Sequence, residues 1–530
     1  MTEREWRETS DMRTSVAGLA IVLAVAAVLR FWALGSGIPF AVGTDEPQIM
    51  NRVVQMMKAG TLNPNGFFDY PTLYLYVQLV VACVQFVLRA SSGVWGSLNQ
   101  VTADDFYLWA RVVTALLGTA TVYLVYLIGC RWGARHALLA AGLMAVMPNH
   151  VRESHYVLTD VPMAFLTTLA FLLALRALEK PTLGAFAWAG ATAGFAAATK
   201  YYGGVMIVAP LLAAGLATGV ARPRHQYILA ALAATIAAFL LAAPYTVLDL
   251  PGFLNGFGSL STSLHGRDPN ATPGSILYLK HLRGALWMPG MLLLLWGLIH
   301  AVVRAVIGPG RPRFILLVVF PIVYFALVSD RTLIFARYLM PLFPFACLLI
   351  AIAIVSGVTL LRRFNIPRHV RAGLIVALTV VAILPPAASS LSWDVEHARP
   401  STFDRAYQWI VQNVPVDAGI IIETENLRLP ARFRSMHVKR LVDREYGAYV
   451  AAKMQYAVLS APQTNEMFAL SPQDPARYPA YRQILERMSL VAAFKQSSDN
   501  FGPDIRIFKL IDDRQDRGAP AVEPAGRPGK

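Results

Sequence analysis

The sequence predicts an all-α, polytopic transmembrane bundle of about 11–13 spans, followed by a smaller α/β domain outside the membrane. The chain has 530 residues, of which 56% are hydrophobic and only 15% charged, whereas soluble domains carry about 25% charged residues. Long apolar runs recur up to about residue 389, and the composition after residue 390 is that of a soluble domain. We therefore divide the chain into a transmembrane domain (1–389), a soluble domain (390–511) and a disordered tail (512–530).

A helix needs about 20 mainly apolar residues to cross the hydrocarbon core of a bilayer, and about twelve runs are candidates for such spans. Several are short, and many are rich in Ala and Gly, which allow helices to pack closely in lipid. They lie near 14–35, 71–92, 107–129, 136–150, 160–177, 184–199, 203–220, 226–246, 286–303, 314–328, 338–360 and 372–388.

The positions of basic residues predict the orientation, because Lys and Arg near span ends stay on the cytoplasmic side. From residue 160 onward, basic clusters alternate with the remaining loops, which places the loops near Asp160 and Lys200, the loops 247–285 and 329–337, and the C-terminal domain outside. The N-terminus carries several arginines and is predicted inside, so the first loop (36–70) is also outside. The clusters predicted inside include Arg304/Arg311/Arg313 and Arg362/Arg363/Arg368/Arg371. We therefore predict a multi-pass protein of the cytoplasmic (inner) membrane with an extracytoplasmic C-terminal domain. The net charge of +15 belongs to these loops, so we expect no nucleic-acid partner.

One part of this topology is inconsistent. Three apolar runs lie between loop 36–70 and Asp160, yet two points on the same side require an even number of crossings. We expect one run in 71–150 not to span, and the short run 136–150, which contains Pro148, is the first candidate.

In the soluble domain we predict an amphipathic helix over 403–414, ended by Pro415. Short runs of β-forming residues predict strands. These strands are 419–423, 456–460, 490–494 and 505–509.

The first outside loop contains two adjacent carboxylates, Asp45 and Glu46, just before a stretch with helical periodicity. Either carboxylate could cap this helix, with Pro47 in its first turn, or could take part in chemistry. Apolar residues follow at helical spacing, namely Ile49, Val53, Met56 and Met57. The pattern predicts a helix that lies along the membrane interface with its apolar side toward lipid or protein.

Asp160 is a third carboxylate of interest, since it stands where the run 160–177 begins. An ionisable residue at such a position is a functional candidate by default. An N-cap role for the same helix is the alternative.

An ordered set of motifs resembles the membrane glycosyltransferases of the GT-C fold, specifically the family 39 and protein-mannosyltransferase-like group that includes the aminoarabinose transferases acting on lipid A. The motifs cover most of residues 10–360 in the order found in that group. They are Asp45-Glu46, FDYPTLYLY (68–76), Ala110-Arg111, MPNHVRESHYVLTDVPMAF (147–165), ATKYYGG (198–204) and RYLMPLFPF (337–345).

This resemblance implies transfer of a sugar from a polyprenyl-phosphate donor to a hydroxyl acceptor in an envelope lipid, polysaccharide or protein, at the outer face of the membrane. It also implies that an acid of the first loop, here Asp45 with Glu46 beside it, is the general base. The acceptor hydroxyl must lose a proton as it attacks the anomeric carbon, whereas the phosphate leaves as an anion and needs no general acid.

The leaving phosphate needs positive charge or hydrogen-bond donors. The outside-facing candidates for this role are Lys200, Arg331 and Arg337, and Arg337-Tyr338 matches the arginine-tyrosine pair of the resembled family. As alternatives, Lys200 could extend its ammonium group to the interface, and Arg331 could pair with Asp330.

No cofactor is implied with certainty, and a divalent metal ion is an open alternative. Where many relatives have Lys-Pro-Pro or His-Pro-Pro, this chain has Tyr70-Pro71-Thr72, which puts a metal-ligand role there in doubt. The remaining weak candidates for ligands are Asp69, His265 and His281.

Two other classes of protein compete with an enzyme. A transporter or lipid flippase often has internal halves and charges near the middle of its spans, whereas the charges here lie in outside loops and at span ends. A membrane scaffold that presents the C-terminal domain gives no reason for a carboxylate pair opposite outside cations. An enzyme that binds membrane lipid substrates is therefore favoured.

The orientation can be tested with a reporter enzyme fused after residue 395. We expect it to be active on the extracytoplasmic side, because the basic segment 362–371 is retained inside and the next run crosses outward. A fusion within loop 305–313 serves as the control and should report the cytoplasm. Cytoplasmic activity of the fusion after residue 395 would reverse the predicted orientation and the outer-face site with it.

Overall fold

The structure is a computed structural model. It describes residues 3–39, 43, 45–264, 272–308, 310–331, 333–424, 427–430, 432–460, 477–497 and 500–511. The predicted tail, 512–530, lies outside the described residues. The chain forms two compact units, one of Met1–Leu34 with Gly43–Asp394 and the other of Gly35–Val42 with Val395–Lys530.

The first unit is helical. Two 3-10 segments, Tyr201–Ile207 and Ala336–Leu342, precede α9 and α15. Its described α-helices are α1 (Glu3–Phe31), α2 (Glu46–Ala59), α3 (Leu73–Ser91), α4 (Tyr107–Gly129), α5 (Ala134–Ala145), α6 (Pro148–Glu153), α7 (Asp160–Glu179), α8 (Leu183–Thr199), α9 (Val208–Leu216), α10 (Arg224–Ala242), α11 (Tyr245–Leu248), α12 (Leu250–Leu264), α13 (Gly274–Val306), α14 (Arg311–Ser329), α15 (Phe343–Leu360) and α16 (Arg368–His397).

Each of the twelve predicted apolar runs coincides with helix. Within the described residues, eight helical segments are long and apolar enough to cross a membrane, and Val16–Phe31 and Tyr201–Leu216 are shorter apolar helices. The protein is therefore a multi-pass membrane protein, as predicted, although the count of full-length segments is below 11–13. Propensity and apolar content specify helix in these runs, but several are too short to cross the bilayer unaided.

The run 136–150 is one of the short ones. It folds as the 12-residue α5, and Pro148 then starts a separate helix, α6. At about 1.5 Å per residue, α5 is about 18 Å long, well short of the ~30 Å hydrocarbon core. Its length fits the expectation that one run before Asp160 does not cross.

Small residues allow a close helix contact between α8 and α10. A Cβ added at Gly190 would lie 2.2 Å from the backbone oxygen of Ala231, and one at Gly194 would lie 2.3 Å from that of Thr235. The Thr235 hydroxyl donates to the Gly190 carbonyl at 2.9 Å. Glycine is therefore required at both positions, because any side chain would separate the backbones.

The amphipathic helix predicted after Asp45 is α2. Ile49, Val53 and Met56 are fully buried and Met57 nearly so, so its apolar side faces protein. Gly60 ends the helix in a left-handed conformation (φ +61°), which glycine adopts without a Cβ penalty. This rigid helix holds the carboxylates at its N-terminus in place.

The described elements of the second unit are α17 (Thr402–Asn413), β1 (Gly419–Ile422), β2 (Arg434–His437), α18 (Tyr446–Ala451), β3 (Met454–Ser460), α19 (Arg477–Glu486), β4 (Met488–Phe494) and β5 (Ile505–Leu510). These five strands form one sheet of order β2-β1-β3-β5-β4. β1 pairs in parallel with β2 and β3, and β5 pairs antiparallel with β3 and β4.

Alternate side chains of the sheet pack on its two faces. Ile420 and Ile422 join the core beneath α17, and Ile421 joins the core beneath α18 and α19. The predicted helix and four strands are confirmed. The sequence missed β2, because this edge strand is polar and largely exposed and carries no apolar alternation.

Candidate active site

A cavity of about 440 Å³ opens in the first unit where the N-terminus of α2, the residue after α8 and the segment before α15 converge. Charged side chains of both signs and several aromatic rings line it. The lining residues are Asp45, Gln48, Asp69, Tyr70, Lys200, Tyr201, Tyr202, Phe257, Leu260, Ser261, Arg331, Leu333, Phe335, Arg337 and Tyr338. Five sequence-predicted site residues thus share one cavity with Asp69, and Asp160 binds two of them.

Asp45 occupies the N-cap position of α2, but its side chain makes no capping hydrogen bond. Its Oδ2 instead lies 2.6 Å from Nη2 of Arg337, and both side chains are partly exposed to the cavity. The capping alternative is therefore wrong for this side chain. The carboxylate is aimed at the cation that the sequence assigned to the donor phosphate.

Asp160 is the first residue of α7, and Thr159 holds the N-cap position. The Asp160 side chain is buried and accepts from Nζ of Lys200 at 2.7 Å. A longer contact of 4.0 Å joins its Oδ2 to Nε of Arg337. The N-cap alternative is wrong here as well, and Asp160 links two of the candidate cations.

Lys200 directly follows α8, and its side chain is only 8% exposed. Its ammonium nitrogen lies 4.6 Å from the ring centroid of Tyr338 and 5.8 Å from that of Tyr70. An ion pair and two aromatic faces compensate for its desolvation. The alternative that Lys200 extends to the membrane interface is therefore wrong.

Arg331 and Tyr338 complete the cationic side of the cavity. The Arg331 guanidinium lies 5.5 Å from the ring centroid of Tyr202. The Tyr324 hydroxyl donates to the Tyr338 carbonyl at 3.0 Å, which fixes the turn that carries Arg337. Arg331 lines the cavity together with Lys200 and Arg337.

Glu46 lies apart from the cavity. It is fully buried and accepts from Arg111 through Nε at 2.8 Å and through Nη2 at 2.6 Å. The backbone N–H groups of Gly43 (2.6 Å) and Val157 (2.8 Å) also donate to it. These four donors occupy both oxygens of the carboxylate, and Glu46 does not line the cavity.

The metal-ligand candidates do not come together. Asp69 lines the cavity and His281 does not, while His265 lies outside the described residues. Within the part of the chain that the structure describes, no three His, Cys, Asp or Glu side chains are placed to hold a metal ion. We assign no metal to this cavity.

Two polar residues near the site were not predicted as site residues. Burial, and then the charges of Asp45 and Asp160, raise the pKa of the Tyr70 phenol, so it is a neutral hydrogen-bond donor. Burial raises the pKa of Glu153, an effect opposed by Arg152, whose Nη2 lies 2.6 Å away. Both residues belong to the motifs that resemble the family, but only the fold shows that they lie close to Asp160 and Arg337.

The bundle, with this cavity at its first loop, has the GT-C fold of membrane glycosyltransferases, as the sequence resemblance predicted. Residues 84–254 match the family model described as dolichyl-phosphate-mannose-protein mannosyltransferase. The matched region includes Arg111, Asp160 and Lys200. No curated protein matches the chain by sequence.

Two solved membrane enzymes have similar folds. The oligosaccharyltransferase AglB from Archaeoglobus fulgidus, in complex with an inhibitory peptide and a dolichol-phosphate, aligns with 93% of this chain and 74% of its own at 13% identity and a TM-score of 0.54. ArnT from Cupriavidus metallidurans in the apo state aligns with 94% of this chain and 98% of its own at 17% identity and a TM-score of 0.54.

ArnT bound to undecaprenyl phosphate aligns similarly, with 95% and 99% of the two chains, 16% identity and a TM-score of 0.53. These likenesses establish the fold along nearly the whole chain. They do not favour the transporter or flippase alternative.

We expect Arg111→Met to destabilise the protein strongly, because it leaves the Glu46 carboxylate buried without its cation. Breaking one side of a buried pair costs about 3–5 kcal/mol. The measurement is thermal unfolding in detergent. Arg482→Met is the matched control, since it removes an arginine from the exposed Arg482–Glu486 pair, where the loss is about 0–1 kcal/mol. Equal melting temperatures for the two variants would contradict a structural role for Glu46–Arg111.

Proposed function

We propose that the protein transfers a hexosyl or pentosyl group from a polyprenyl-phosphate donor to a hydroxyl acceptor at the outer face of the cytoplasmic membrane. The observation that carries this proposal is the cavity that joins the Asp45 carboxylate to Arg337, with Lys200 and Arg331 beside them. The bound dolichol-phosphate and undecaprenyl phosphate in the structurally similar enzymes support a donor of this class.

The cations would hold the phosphate of the donor. Arg337 offers a planar guanidinium that matches phosphate oxygens in two places, and Lys200 and Arg331 would add positive charge. As the bond between the anomeric carbon and the phosphate oxygen breaks, negative charge accumulates on the phosphate, and these groups stabilise it. Asp160 would act as a positioning residue, because it holds Lys200 at 2.7 Å.

Asp45 would be the general base. In this structure it is paired with Arg337, and the donor phosphate would compete for the same guanidinium. Binding of the donor would thereby release Asp45 to accept a proton. The acceptor oxygen then bonds to the anomeric carbon, its proton passes to Asp45, and polyprenyl phosphate leaves with the bonding electrons.

The aromatic lining suits a sugar between these groups. Tyr70, Tyr201 and Phe257 line the cavity with the charged residues, and a neutral Tyr70 phenol can donate to a sugar oxygen. We also propose that the second unit is extracytoplasmic, where it would meet an acceptor in the envelope. Glu46 would serve this site by position and not by proton transfer.

The activity can be tested by incubating the purified protein with a panel of polyprenyl-phosphate sugars and envelope extract. We expect the reaction to release free polyprenyl phosphate. In a deletion strain, mass spectrometry of envelope glycolipids and glycoproteins should show that the product sugar is missing. If the protein consumes no donor in the panel and the deletion changes no glycan, the proposal fails.

Asp45→Asn should lower the maximal transfer rate by about 10²–10⁴-fold, the usual contribution of a general base. The amide can still accept a hydrogen bond from Arg337 but cannot take a proton, and it competes with the donor phosphate less strongly than the carboxylate does. The donor concentration that gives the half-maximal rate should therefore not rise. Asp69→Asn alters another carboxylate of the same cavity and is the matched control. If Asp45→Asn is fully active and Asp69→Asn is inactive, Asp69 and not Asp45 is the general base.

Arg337→Met should instead weaken donor use about ten- to a hundredfold, because a hydrogen bond to a charged group contributes about 1.5–3 kcal/mol. Arg337→Lys should restore donor use only in part, since lysine lacks the planar group that binds two phosphate oxygens at once. The control is Arg283→Met, which removes an exposed arginine of α13 outside the cavity. Transfer should be measured against donor concentration with folded protein matched. If the transfer rate depends on donor concentration in the same way as in the wild type, Arg337 does not bind the donor phosphate.

A further inference from the structure

A second cavity, also of about 440 Å³, lies at the other end of α15. The active-site cavity is lined by Arg337 and Tyr338, just before α15 begins. The second cavity is lined near the end of α15 by Val355, Ser356, Thr359, Leu360 and Arg363. At about 1.5 Å per residue, the 18 residues of α15 separate the two by about 27 Å. The second cavity is thus a separate site.

Its polar lining is basic. The last two turns of α13, the first turn of α5, the end of α15 and the 3-10 turn after it contribute two arginines, two histidines and two hydroxyls. None of its described lining residues is an Asp or Glu, in contrast to the active-site cavity, where two carboxylates bind the cations. The polar residues are His136, His300, Arg304, Ser356, Thr359 and Arg363.

This composition matches a phosphate group. Arginine is the side chain best suited to phosphate oxygens, and histidine and hydroxyl groups can donate to them. The Ser356 and Thr359 hydroxyls now donate to the Ile352 and Val355 carbonyls, and each could rotate toward a ligand. The excess of cations over carboxylates gives the cavity a positive potential that an anion would neutralise.

The surface beside the cavity is apolar and exposed. On α13, Ile299, Val303 and Val306 are 50%, 52% and 63% exposed, and Leu360 on the cavity wall is 42% exposed. Because α13 is long and apolar enough to cross a membrane, lipid acyl chains contact this surface next to the cavity. A phospholipid can therefore reach the cavity with its head group while its chains stay on α13, which favours a phospholipid as the source of the phosphate.

We propose that this cavity binds the phosphate of an anionic phospholipid, with the acyl chains along α13. Basic pockets between transmembrane helices are sites for such head groups. Because Arg304 and Arg363 belong to the clusters that are expected on the cytoplasmic side, the lipid would come from the inner leaflet. The competing explanation is that the arginines only compensate the negative C-terminal ends of α13 and α15.

The test uses the full-length protein in mild detergent without any sugar donor, so its outcome does not depend on transferase activity. Native mass spectrometry measures how much phosphatidylglycerol or phosphatidylcholine stays bound. We expect one phosphatidylglycerol retained in preference to phosphatidylcholine, and about tenfold or more weaker retention in Arg304→Gln/Arg363→Gln, since each basic contact contributes to anionic-lipid affinity. Arg222→Gln/Arg362→Gln, with the same change in net charge outside the cavity, should retain the lipid.

A further variant and a comparison with inorganic phosphate distinguish a lipid from the alternatives. Thr359→Glu places a carboxylate at an exposed position of the lining and should also release phosphatidylglycerol, even if the double arginine variant folds poorly. Inorganic phosphate, compared with chloride at equal ionic strength, should raise the melting temperature less than phosphatidylglycerol does. Protection by phosphate alone would assign the cavity to a soluble ligand and overturn the lipid. Equal retention in wild type, Thr359→Glu and Arg304→Gln/Arg363→Gln would show that the arginines only compensate helix ends.

Discussion

The buried Glu46–Arg111 pair holds together the segments on which the candidate active site is built. Glu46 accepts from Arg111 of α4, from the backbone of Gly43 and from the backbone of Val157. One carboxylate therefore fixes the loop that carries Asp45 and the segment that leads to Asp160. An unpaired carboxylate would not be tolerated at this depth, so the three attachments form together with the bundle. Asp45 therefore lines the cavity, while Asp160 contacts Lys200 and Arg337 of the same cavity from behind its lining.

Within the cavity the charges are arranged so that none is buried alone. Asp160 neutralises Lys200 at 2.7 Å, and Asp45 neutralises Arg337 at 2.6 Å. The first pair is almost fully buried, whereas the second is partly exposed to the cavity. The Asp160–Lys200 pair is therefore fixed, whereas a ligand in the cavity can replace one partner of the Asp45–Arg337 pair. A phosphate that takes the place of Asp45 on Arg337 would keep the guanidinium paired with an anion and leave the Asp45 carboxylate free to act as a base.

The two cavities at the ends of α15 contain similar cationic residues, but these residues have different neighbours and therefore suit different ligands. In the active-site cavity the cations face carboxylates and aromatic rings. In the second cavity the arginines and histidines face hydroxyls and apolar side chains, with no carboxylate among its described lining residues. The first arrangement can exchange charge partners during a reaction. The second offers a standing positive potential next to exposed apolar helix surface, which suits a resident amphiphile.

The sequence alone determined that this is a multi-pass helical protein with a C-terminal sheet domain, because apolar runs and short β-forming stretches are local patterns. The order of its motifs also predicted the GT-C fold and brought Asp45, Lys200 and Arg337 forward as candidates. It could not distinguish Asp45 from Glu46, which are adjacent and alike in chemistry. Only the tertiary structure turned Glu46 toward Arg111 and Asp45 toward Arg337, because the partners of a charged side chain come from distant segments and depend on how the helices pack.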